Sequence, residues 1–136
     1  MAGESAGALH EARTLSVSVL RSPQDVYAFA ADPRNLPRWS WIESAEPDGD
    51  RWRVTTAGGT ARLRPSPAND LGVLDHDIEP APGVVVHVPM RVVPNGTGSE
   101  VLFTLIRLPG TTDEAFEDDA RTVAADLARL KAELEV

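Results

Sequence analysis

The chain has 136 residues, the size of one ordinary domain, and its 42% apolar and 25% charged residues without a low-complexity tract point to a single globular core. A formal charge of −8, from 21 acidic against 13 basic residues, repels phosphate backbones and anionic lipid surfaces and argues against nucleic acid as a partner. The lack of cysteine excludes disulfides, thiolate nucleophiles and thiolate metal sites, and no stretch approaches the ~20 apolar residues of a membrane span.

Residues 1–12 are mostly small or polar, with Gly3, Ser5 and Gly7, and are expected to form a flexible tail ahead of one domain over 13–136. The start of the chain shows no basic cluster followed by an apolar run, so a cytoplasmic location is the expectation. Leu15, Val17 and Val19 alternate with Ser16 and Ser18, the period of a strand with one buried face. Ser22 and Pro23 then read as the cap and first position of a helix whose inner stripe is Val26, Phe29 and Ala30. Pro33 stops that helix, and Pro37 leaves room for only a short helical turn between Arg34 and Trp39.

From Trp41 to Leu108 the pattern is strand and turn repeated, with breaks at 47–50, 57–59, 65–70, 80–83 and 94–99. This predicts six more strands, seven in all, joined by short connections into an antiparallel sheet. Val84, Val86, Val88, Met90 and Val92 read as one apolar face of a single strand. After Pro109 and Gly110 the period becomes 3.6, with Thr111 or Thr112 as a cap and Phe116, Ala120, Val123, Ala124, Leu127, Leu130 and Leu134 on one side of a long helix. The acidic residues of that segment, Asp119 and Asp126 among them, read as a solvated face.

This order of elements, with the phrases DVYAFAADPRNLPRW at 25–39 and VLFTLIRLPG at 101–110, resembles the START-like superfamily (SRPBCC, Bet v 1-like) over Thr14 to Glu135. That superfamily includes polyketide cyclases and dehydrases, pollen-allergen-type ligand carriers, lipid-transfer domains and Hsp90-activator-like proteins. The resemblance implies an α+β helix-grip fold: a seven-stranded curved antiparallel sheet around a long C-terminal helix, with two short helices after the first strand. It also implies a cavity between the concave sheet face and that helix, holding a small hydrophobic or aromatic molecule, lipid or polyketide-like, with no cofactor.

Trp39, Trp41, His76, Met90, Phe103 and Phe116 are the candidate ligand-binding residues. Trp39 and Trp41 would share a face if both were extended, making an aromatic wall. Along Leu74, Asp75, His76, Asp77 and Ile78, alternation turns either the histidine or both carboxylates inward; the flanking Leu74 and Ile78 favour His76, while Leu71 and Val73 on the opposite set leave the choice open. A four-residue loop over 80–83 would set His76 opposite His87, whereas a loop one residue longer would separate them. No third ligand stands at metal-binding spacing, so no metal is expected. Ala61 and Leu63 take the inner face of their strand, which sends Arg62 and Arg64 to solvent. Two alternatives accompany ligand binding: a cyclase or dehydrase using His76 as general base, and a protein-interaction module.

Overall fold

The computed structural model describes residues 8–136, so residues 1–7 of the expected tail lie outside the described residues. β1 (Ala12–Val19) forms where the alternation begins; Leu15, Val17 and Val19 turn inward and Ser16 and Ser18 stay wet. Ser22 caps α1 (Pro23–Ala30), its hydroxyl accepting the Asp25 N–H at 3.1 Å. Asp32 caps a single 3-10 turn (Pro33–Asn35) through the Arg34 N–H at 3.0 Å, and Pro37 fits the first turn of α2 (Leu36–Trp39).

β2 (Ser44–Asp48), β3 (Arg51–Thr56), β4 (Gly59–Pro65), β5 (His76–Ala81) and β6 (Val84–Val88) form a five-stranded antiparallel meander in sequence order. β7 (Met90–Asn95) and β8 (Gly98–Ile106) join β1 in a second sheet of order β1-β8-β7. The expected single sheet of seven strands is therefore two sheets, of five and three strands. The difference lies at Pro89, where the run from Val84 to Val92 is cut into β6 and β7. Proline has no N–H for a ladder, and its carbonyl instead accepts the Thr104 N–H of β8 at 2.9 Å. The inner face survives the cut, with Val88, Met90 and Val92 all buried.

The stretch ahead of β5 ties the sheets together. The Leu74 N–H donates to Met90 O at 2.9 Å, the Val92 N–H donates to Gly72 O at 3.0 Å, and Val73 bridges Arg91. Gly72 has φ +75°, and a Cβ there would overlap the Val92 carbonyl oxygen, so only glycine permits this approach.

α3 (Asp113–Leu134) is capped by Thr112, whose hydroxyl accepts the Ala115 N–H at 3.1 Å. Its buried stripe is Phe116, Ala120, Val123, Leu127, Leu130 and Leu134; Ala124, expected on that stripe, is exposed, and Asp126 is buried instead. The helix packs on β1, β8 and α2. Lys131 Nζ donates to Ser18 O at 2.8 Å, and Arg38 pairs with Glu133 at 2.8 Å. Among the described residues, no helix is long and apolar enough to cross a membrane.

Most of the buried apolar residues, though not Val88, Phe116 or Ala120, fall into two groups, with half-buried Leu36 packed against both. The larger gathers Val19, Val26, Trp39, Leu74, Met90, Val92, Val101 and the stripe of α3 from Val123 to Leu134. The smaller, on the five-stranded sheet and the segment leading into it, is Ile42, Val54, Ala61 and Leu63.

Candidate ligand cavity

A cavity of about 320 Å³ takes its wall from both groups: Trp39, Leu74, Met90 and Val123 from the larger, Ile42 and Leu63 from the smaller. This volume falls in the range of small-molecule sites. Trp41, Asp119 and Thr122 are the exposed members of the lining and mark its mouth.

Five of the six candidate residues, Trp39, Trp41, His76, Met90 and Phe103, line this cavity. The tryptophans do so differently from the expected extended pair. Trp39 ends α2 and is 5% exposed, while Trp41 follows the bend at Ser40 and is 49% exposed. The bend is held from three sides: Ser40 Oγ donates to Leu36 O at 2.9 Å, the Ile42 N–H donates to Ser40 Oγ at 3.1 Å, and Arg129 donates to Trp39 O at 3.1 Å and to Ser40 O. Phe116 departs from expectation. It is buried, but it sits near the start of α3 between the guanidinium groups of Arg13 and Arg107, 5.3 and 5.5 Å from its ring centre, and is not in the wall.

The β5–β6 register places His76. Ala81 pairs with Val84 across a two-residue turn, the register then shifts between Ile78 and Ala81, and Ile78, Asp77 and His76 pair with Val86, His87 and Val88. His76 and His87 therefore lie on opposite faces. His87 meets the Asp77 carboxylate at 2.7 Å outside, while His76 joins Leu74 and Ile78 in the cavity wall. His76 Nδ1 lies 3.0 Å from Leu74 O; a carbonyl can only accept, so Nδ1 carries the proton. Burial lowers the His76 pKa, although the Leu74 bond and the charges of Asp75 and Asp77 oppose this, so the ring is neutral with Nε2 as an acceptor. The Phe103 ring stands edge-on to it at 6.3 Å.

Asp75, one residue earlier, points the other way. Its carboxylate accepts from Arg91 Nε at 3.0 Å and Nη2 at 2.9 Å, and from the Met90 N–H at 2.8 Å. The Arg91 guanidinium, helped by that N–H, holds its pKa down at about 2 against the opposing effect of burial. Arg62 and Arg64 are exposed, as alternation predicts.

The sequence reading missed two carboxyls in the cavity, Asp119 and Asp126, because both stand in an acidic run that reads as a wet helix face. The available signal was position: Asp126 lies three residues after Val123 and four before Leu130, beside the apolar stripe. Burial pushes Asp126 up to about 6, against the Trp41 N–H and Arg129, whose nearest nitrogen is 3.7 Å away. Asp119 is raised by burial and by the neighbouring Asp118.

No family model matches the chain, and no curated protein matches it. Solved structures do. The protein XoxI from Bacillus cereus is 21% identical with a TM-score of 0.75, over 90% of this chain and 94% of its own. The Aha1 dimer from Colwellia psychrerythraea is 16% identical with a TM-score of 0.74, over 93% and 97%. A START superfamily protein from Mycobacterium smegmatis is 14% identical with a TM-score of 0.71, over 91% and 97%. With two curved antiparallel sheets and a long C-terminal helix, the chain thus has the helix-grip, START-like fold over nearly its whole described length.

Proposed function

We propose that the domain binds a small apolar or aromatic molecule in the cavity between its two sheets and α3. The observation that carries this is the division of most of the buried apolar side chains into two groups with a mostly apolar cavity between them. Close packing is the rule in protein interiors, and a gap of this size forfeits dispersion contacts that an occupant would restore. The helix-grip likeness supports the same reading. Native mass spectrometry of freshly purified protein, followed by a thermal-shift screen of lipids, flavonoids and polyketide mimics, tests it: a bound small molecule or a raised Tm is expected, and neither across the panel counts against the proposal. A second test fills the space directly. Ile78 lines the cavity and is only half-buried, so Ile78→Trp is expected to fold and to lose binding of whatever compound the screen finds.

A proton-transfer role is the second reading, favoured by a neutral histidine with a free Nε2 in an apolar cavity. His76 would act as general base on a carbon acid beside a carbonyl. In that case His76→Ala folds normally and abolishes turnover of a cyclisable polyketide mimic, and retained turnover removes His76 from the role.

A further inference from the structure

The polar groups of the cavity restrict the chemistry of its occupant. The His76 Nδ1–H is committed to Leu74 O, which leaves Nε2 as an acceptor. Ser66 Oγ spends its proton on Asp75 O at 2.5 Å, as Ser40 Oγ does on Leu36 O. Asp119 and Asp126 add two carboxyl groups from α3. Against these stand only neutral side-chain donors, the Tyr27 and Thr122 hydroxyls, the exposed Trp41 indole and the Trp39 Nε1–H, which is buried without a partner, and among the described residues no lysine or arginine lines the cavity. Arg129 gives its N–H groups to the Trp39 and Ser40 carbonyls and lies 3.7 Å from the Asp126 carboxylate, but it is not part of the wall.

A carboxylate brought into this space would be stripped of water with no cation to meet it and with two carboxyl groups nearby. A hydroxyl or ammonium group would find acceptors already in place. Resting on the binding role above, we propose that the occupant is an apolar molecule whose polar end is a hydrogen-bond donor, an O–H or N–H directed at His76 Nε2 or the Asp126 carboxyl, and that carboxylate-headed molecules such as fatty acids are rejected. Any donor head meets the same groups; a phenol and an amine differ in which of them responds, the amine depending on Asp126.

Four compounds sharing one bicyclic body separate these possibilities: a naphthol, a naphthylmethylamine, a naphthoate and methylnaphthalene, each titrated calorimetrically near neutral pH. The naphthol and the amine are expected to bind at least roughly tenfold more tightly than the naphthoate and methylnaphthalene. A naphthoate that binds as tightly as either donor overturns the proposal. If methylnaphthalene matches the donors, the binding role stands and the head-group preference falls; if none of the four binds, both fall. Asp126→Asn then localises the effect: the amine loses its advantage over methylnaphthalene, and an advantage left unchanged removes Asp126 from the site. The wild-type series decides the proposal whether or not that variant folds.

Discussion

Burial raises the Asp126 carboxyl to about 6 from an ordinary 3.8, so at neutral pH the folded chain holds a charge in surroundings that disfavour it. The folded state binds this proton more tightly than the unfolded state does. The penalty is therefore absent below about pH 4, where both states are protonated, grows between about pH 4 and pH 6, and is full above that. Asp126→Asn is expected to stabilise the protein by about 1–3 kcal/mol at pH 7–8, with the gain shrinking on acidification and gone near pH 4. Urea unfolding of both proteins across that range checks it, and a gain that persists at pH 4 contradicts the account. A residue that lowers stability where it stands is the kind kept for a task. Single side chains were unevenly legible. For His76 the strand period of two leaves only two choices, with Leu74 and Ile78 favouring the inward one and Leu71 and Val73 the other. Asp126 could not be narrowed in this way, because helical position constrains facing less sharply and a carboxylate among carboxylates reads as solvated. Phe116 reads as a cavity residue on apolar character alone, yet two arginine side chains cover it.

The junction of β5 with β7 positions His76, and it rests on a few backbone contacts that local pattern does not reveal. Asp75 holds β7 through Arg91 and the Met90 N–H, immediately before the histidine. Its folded pKa of about 2 lies below the ordinary 3.8, so its contribution is full above about pH 4 and is lost as pH falls toward 2. With solvent screening of the exposed Arg91 partner, Asp75→Ala is expected to cost about 1 kcal/mol at neutral pH, and the gap to wild type should close in acid, as chemical denaturation at several pH values would reveal. Gly72→Ala attacks the same junction from the backbone. With φ +75° and the Val92 carbonyl in the way, it should destabilise by about 2–4 kcal/mol, and a variant melting at the wild-type temperature refutes the steric argument. Pro89 escapes a reading based on periodicity because the alternation of Val86, Val88, Met90 and Val92 runs through it undisturbed. The inner face is continuous there while the hydrogen-bonded ladder is not, and only long-range pairing distinguishes the two.

The order of the elements was readable from Leu15 to Leu134, since alternation, proline and glycine breaks and the final 3.6 period are local properties. How strands β1, β7 and β8 separate from the other five is not local, and neither is the resulting gap. That gap bears on cooperativity. Val54, Ala61 and Leu63 belong to a small buried group that meets the group of Leu127 and Leu130 through half-buried Leu36 and across the cavity. Native-state hydrogen exchange of the unliganded protein is expected to show the amides of Val54 and Leu63 exchanging through a partial opening, at lower free energy than those of Val101 and Leu130. One shared opening for all four contradicts this. A molecule seated in the cavity would touch both groups at once, so its arrival should raise the protection of the five-stranded sheet more than that of α3 and fuse two foldons into one.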